Sequence, residues 1–165
     1  MNKYFNIITY VLMFAVGLPA AARALGQDTP ADEAMKLATK LADEGAATFS
    51  KADAASMAAY YTEDAMIFLQ TRNDDGRSVK EYDGRAEFER LYADLFKHEQ
   101  GSIRAKNHVE YARLLAPDLL VIAGTFEPNQ LAAQPRKVPF YQVRVKQGDK
   151  WLIHSLRIFI LPEKS

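Results

Sequence analysis

Between residues 30 and 51 the apolar positions Ala34, Leu37, Ala38, Leu41, Ala42 and Phe49 recur at helical spacing, marking one face of a first amphipathic α-helix. Thr29-Pro30-Ala31-Asp32 supplies its start, with Thr29 as N-cap, proline at the first helical position and Asp32 as a shortened capping box. Asp53 caps a second, short helix over residues 54–61. The period then changes. Residues 65–71 are an apolar and aromatic strand, Asn73-Asp74-Asp75-Gly76 is a turn, and residues 77–82 return as the other arm of a hairpin. Asp83-Gly84 opens a third helix, residues 85–97, whose inner stripe is Phe88, Leu91, Tyr92, Leu95 and Phe96. Strands follow at 102–115, 119–127, 138–147 and 151–161, separated by Ala116-Pro117-Asp118, by a proline-containing loop and by Gly148-Asp149. This order predicts an α+β fold, an antiparallel sheet with helices on one side.

The last strand breaks the simple pattern. A strand with one wet face alternates apolar and polar residues, yet Trp151, Leu152, Ile153, Leu156, Ile158, Phe159, Ile160 and Leu161 fill both faces. Something has to cover the second face. His154 and Arg157 sit within this apolar run, where they serve either chemistry or packing.

Composition changes the picture mainly at the amino terminus. Lys3, the apolar residues 7–16, Pro19 and Ala22-Arg23-Ala24 have the form of a secretory signal peptide cleaved after residue 24, and the apolar run is too short for a membrane span. The expectation is an exported protein, periplasmic or secreted, with one domain over residues 25–165 and no membrane attachment after cleavage. The chain contains no Cys, so it forms no disulfide and carries no lipidated cysteine. Removal of Lys3 and Arg23 leaves a formal charge of −2 on a chain that begins with 21 basic and 21 acidic residues. No basic stripe with interleaved aromatics is present, so nucleic acid is not an expected partner.

Four stretches, SKADAASMAAYYTEDAMIF (50–68), YDGRAEFERLYADLF (82–96), DLLVIAGTFE (118–127) and GDKWLIHSLRIFI (148–160), resemble the corresponding blocks of the NTF2-like superfamily. The likeness is greatest to its SnoaL-like branch and to the bacterial SgcJ/EcaC (DUF4440) type. The resemblance implies a cone-shaped, cystatin-like fold, in which a strongly curved antiparallel sheet wraps three N-terminal helices. It also implies a pocket at the wide end for a small-molecule ligand, no cofactor, and a homodimer through the convex sheet face. Such a dimer would cover the second face of the last strand, with Ile158 and Ile160 expected on the outer side.

Catalytic members of that superfamily, such as ketosteroid isomerases, polyketide cyclases and scytalone dehydratase, place acids, tyrosines or histidines around the pocket. The isomerases need a carboxylate base on the first strand. Here Leu69, or in another register Phe68, stands at that place, which speaks against ketosteroid-type isomerisation. Asp64 is a turn residue unless the register shifts. Tyr60 and Tyr61 close the second helix, and one of them is expected to point into the cone, either donating to a ligand or burying its ring; the same holds for Tyr92 and Tyr141. His98 follows the third helix and is expected to meet its last carbonyls. His108 and Glu110 share a strand face with Arg104, Lys106 and Leu114. With only His154 as a third candidate they do not make a metal site.

His154 and Arg157 have opposite parity, so one of them at most faces the pocket. Counted from Trp151, Ser155 and Arg157 share its face, and the resemblance makes that face concave. An arginine there needs a carboxylate partner or an anionic ligand. The expected ligand-binding set is therefore Arg157, Ser155, Tyr61, Phe68, Tyr141 and Trp151. Arg113 and Arg144 are rivals for the arginine's role, and Glu110 and Glu127 are candidate carboxylate partners. No nucleophile elbow, phosphate loop, Cys-His pair or HExxH motif is present. The leading expectation is a small-molecule-binding domain without a catalytic set. The alternatives are a cyclase-, dehydratase- or isomerase-like enzyme using a tyrosine hydroxyl with His154 or Asp64, and a dimerising scaffold.

Overall fold

Helix α1, Pro30–Phe49, begins with the expected reciprocal cap. The Asp32 N–H donates to the Thr29 hydroxyl at 3.2 Å, and the Asp32 carboxylate accepts from the Thr29 N–H at 3.0 Å. Donation to the carboxylate by the Thr29 N–H, and by the Thr29 hydroxyl at 2.8 Å, holds the Asp32 carboxyl below its ordinary range. The computed structural model describes residues 29–73, 76–97, 104–128 and 137–161. The signal segment, the hairpin tip, His98 and most of the loop before the fifth strand lie outside the described residues.

Helix α2 is shorter than its sequence pattern suggests, Ala54–Ala58, capped by Asp53. Its continuation is taken by the sheet: the Tyr60 carbonyl accepts from the Ile153 N–H at 2.7 Å. Strand β1 then starts at once and runs over Tyr61–Asn73, so Asp64 lies in a strand and not in a turn. The remaining elements are β2 (Gly76–Asp83), α3 (Arg85–Lys97), β3 (Lys106–Ala116), β4 (Leu119–Glu127), β5 (Val138–Gln147) and β6 (Lys150–Ile160). They build one six-stranded sheet in the order β2-β1-β6-β5-β4-β3. Every pairing is antiparallel except β1 with β6, which is parallel. The carboxyl-terminal strand is thus internal to the sheet. Among the described residues no helix is long and apolar enough to cross a membrane.

The three helices lie on one face of the sheet. Ala34, Ala38 and Leu41 of α1 and Phe88 and Tyr92 of α3 meet Ile67, Ala112, Leu120, Ile122, Phe140 and Leu156 from five strands, forming the core. Phe49 ties the ends of α1 and α3 to β4, with edge-on contacts to Tyr92, Phe96 and Phe126 at centroid distances of 6.4, 5.1 and 5.0 Å.

Two β-bulges decide which side chains enter that core. In β6, Ile153 pairs with Arg144 and Ser155 with Val143, so His154 is an extra residue opposite a single peptide unit. Trp151 and Ile153 point inward before the bulge; Leu156 and Ile158 point inward after it. Counting parity from Trp151 therefore fails at His154. Ser155 and Arg157 lie on the convex face, Ile158 packs against the core with Ile160 following it by alternation, and Phe159 faces outward. Much of the two-sided apolar pattern of this strand is a phase change, not a second buried face. In β3, Glu110 is the extra residue between Val109 and Tyr111, which sends Leu114 into the core and away from His108. Opposite this bulge stands Gly124, where an added Cβ would lie 2.1 Å from the His108 carbonyl oxygen. Gly124→Ala must force β3 and β4 apart and should destabilise the protein by at least about 2 kcal/mol in urea unfolding.

Candidate functional site

Inside the cone the sheet presents apolar side chains with one conspicuous exception. Arg144 of β5 is flanked across the sheet by Leu120 and Ile153, and only 2% of its surface is exposed. Its Nε donates to the Gln142 Oε1 at 3.0 Å. Its Nη1 is buried without an acceptor, and no carboxylate among the described residues forms an ion pair with it. Burial lowers its pKa to about 10, opposed by Tyr61, Tyr60 and Glu44, so the guanidinium is still charged at neutral pH. A buried, unpaired cation of this kind costs several kcal/mol.

Across β6 from it is Tyr61, which pairs with the same Ile153 and meets a second buried phenol, Tyr92. Tyr61 and Tyr92 place their hydroxyls 2.7 Å apart, and the Tyr61 ring packs against Phe88 at 4.7 Å. Burial pushes both phenols above their ordinary pKa, and Tyr61 is raised further by Tyr92. Both are neutral hydrogen-bonding groups at pH 7 and neither is a base there. The start of β1 that carries Tyr61 is irregular: its carbonyl accepts from the Arg85 Nε at 3.1 Å, and Arg85 also pairs with Glu63. Tyr60 points the other way, its hydroxyl 3.0 Å from the Thr48 hydroxyl and donating to the Glu44 carbonyl at 3.3 Å. It borders a cleft of about 370 Å³ between α1 and the β5–β6 turn, walled by Leu37, Leu41, Trp151 and Leu152.

The other sequence candidates gather outside the cone. Ser155, Arg157, Tyr141 and Phe159 line a groove of about 450 Å³ on the convex face, with the Arg157 guanidinium 5.0 Å from the Phe68 ring centroid. The expected ligand-binding set is thereby split across the sheet, Tyr61 and Trp151 inside, Phe68, Tyr141, Ser155 and Arg157 outside. The arginine inside the cone is Arg144, whose parity with Val138 and Phe140 was legible in the sequence. His154 Nδ1 lies 3.3 Å from the Thr62 hydroxyl and 3.7 Å from Asp64 Oδ1, so the sheet brings together the two residues offered as alternative partners of a tyrosine hydroxyl. The Asp64 carboxyl is held low first by the Thr62 hydroxyl, then by its own backbone N–H, with His154 contributing less. This pair is half to mostly exposed, while the Tyr61 hydroxyl is engaged with Tyr92 in the core. Glu127, a candidate arginine partner, instead meets His108 at 3.4 Å and Lys137 at 3.6 Å. No group of three metal-ligating side chains occurs among the described residues.

No protein-family profile matches this chain, and no curated protein matches it. Solved structures do. A domain of unknown function with a cystatin-like fold from Nostoc punctiforme PCC 73102 superposes with a TM-score of 0.60 at 14% identity over 77% of this chain and 76% of its own. An NTF-2-like protein of unknown function from Shewanella oneidensis MR-1 gives 0.59 at 14% identity over 73% and 93%. The chain has the NTF2-like fold. A putative calcium/calmodulin dependent protein kinase II association domain from Xanthomonas campestris is also similar, with a TM-score of 0.57 at 21% identity over 90% of this chain and 95% of that one. Within this NTF2-like cone the β1 residues packed into the core are Tyr61, Ala65, Ile67 and Leu69, none of them a carboxylate.

The phenol pair can be tested by a double-mutant cycle. Tyr61→Phe or Tyr92→Phe alone leaves one buried hydroxyl unpaired and should cost about 1–3 kcal/mol. The double variant should cost clearly less than the sum, read from denaturant midpoints.

Proposed function

We propose that this protein is an exported, SnoaL-like binding domain that holds a small, partly apolar molecule inside its cone, with Arg144 as the polar anchor and no catalytic set. The observation that carries this reading is the guanidinium buried among apolar side chains with Nη1 unsatisfied. A structural arginine would be matched by a protein carboxylate, and a ligand is the other way to satisfy it. The enzyme alternative is less well supported because His154 and Asp64 stand at the surface while the buried phenols lie in the core.

The same reading keeps the homodimer through the convex sheet face. Tyr111 and Tyr141 are 48% and 42% exposed there, beside Arg113, Arg157 and Phe159. Aromatic rings and arginines on one surface can each meet the other's copy across a two-fold axis. The Xanthomonas structure named above as an association domain is compatible with such a use of the fold.

Arg144→Met separates the anchor from a structural role. As a ligand anchor, its removal should leave the empty protein equally stable or raise stability by about 1–4 kcal/mol, while molecules extracted from the native protein and detected by mass spectrometry disappear. A loss of about 3–5 kcal/mol would instead show that Arg144 neutralises a buried carboxylate of the chain. For the assembly, Phe159→Lys should convert a sedimenting dimer to a folded monomer, whereas a wild-type monomer at micromolar concentration removes the dimer from the reading.

A further inference from the structure

The chemical class of the bound molecule can be narrowed, resting on the cone-binding reading above. We infer that it is a small monocarboxylate with an apolar body, entering through the cleft between α1 and the β5–β6 turn. Charge balance is the first ground. Among the described residues the interior holds one uncompensated cation, and Tyr61, which acts on its charge, and Tyr92, which bonds to Tyr61, are neutral. One negative charge neutralises that set; a phosphate dianion would leave a net charge in an apolar enclosure. Donor geometry is the second. Arg144 commits Nε to Gln142 and leaves Nη1 to donate. The two phenols share one hydrogen bond between them, which uses one of their two O–H protons and leaves the other to donate. A carboxylate has two acceptor oxygens for these donors.

The third ground is the route. Trp151, which lines the cleft, stands on the inner face of β6 two residues before Ile153, the cross-strand partner of Arg144, so the cleft opens on the same sheet face, one pleat from the guanidinium's strand position. The walls Leu37, Leu41, Trp151 and Leu152 suit an alkyl or aryl body, and about 370 Å³ lies at the small end of ligand pockets. Lys40 and Lys150 stand at the rim together with Glu44 and Asp149, and Glu44 lies 3.9 Å from the Lys40 ammonium, so the rim is charge-balanced and does not repel an anion.

The test is calorimetric titration of the purified protein, stripped of bound molecules, with butyrate, hexanoate, benzoate and phenylacetate, each against its primary amide, and with inorganic phosphate. At least one acid should bind at least about tenfold more tightly than its amide, the ratio a charge-assisted hydrogen bond supports. Arg144→Met and Arg144→Gln should abolish that preference, and Trp151→Ala should weaken acid and amide together. Equal binding of acid and amide, preference surviving in both Arg144 variants, or tighter binding of phosphate overturns the carboxylate assignment. If no probe binds but a neutral molecule is extracted from the native protein, the carboxylate class fails and the cone-binding reading stands. If no probe binds and the extract is empty, both fail.

Discussion

The apolar interior on which this fold depends encloses a single charge in the wrong medium. Arg144 sits where a leucine or isoleucine would pack between Leu120 and Ile153, yet no carboxylate of the described chain comes to meet it. The fold tolerates it because the surrounding contacts are extensive: two aromatic-bearing helices and five strands close on the same interior. Replacing such an ion with a well-packed apolar residue is commonly neutral or stabilising, so packing alone gives no reason to keep it. Packing therefore leaves Arg144 without an account of its own, and the proposed ligand is what would supply one.

The sheet separates that interior from a quite different outer surface, and the bulges at His154 and Glu110 control the separation. Each inserts one residue into a strand, adds local twist and exchanges the faces of everything beyond it. Without the β6 bulge, Ser155 and Arg157 would enter the cone and Leu156 and Ile158 would face water. The sheet therefore sets two arginines, Arg144 and Arg157, on opposite sides, one dry and one beside the Phe68 ring.

Helical periodicity made α1 and α3 readable, and the Thr29–Asp32 cap placed the first boundary to the residue. Strand order and the change of period after Tyr61 gave the α+β plan. The inside of the sheet was harder to read, because alternation carries no record of a bulge: the residues from Trp151 to Phe159 are consistent with either phase. β5 has no bulge between Val138 and Arg144 on its β4 side, so the same counting applied there puts Arg144 beside Phe140 in the core. The meeting of His154 with Asp64 and Thr62 was invisible for another reason. It depends on the parallel pairing of β1 with β6, a contact between distant parts of the chain that local pattern does not encode.

That parallel pairing also bears on how the chain comes to be folded. β6 is the last strand of the described residues to be made, and it is the piece that joins the β1–β2 hairpin to the β3–β4–β5 meander. Until it docks, the sheet consists of two unconnected halves, each with a bare edge, and the interior between them is open to water. Long-range closure of this kind is slow compared with hairpin formation, and exposed edges invite pairing with other chains. A chain stopped short of residue 150 is thus two sheet fragments without a common core, and the final strand acts as the keystone on which the whole arch waits.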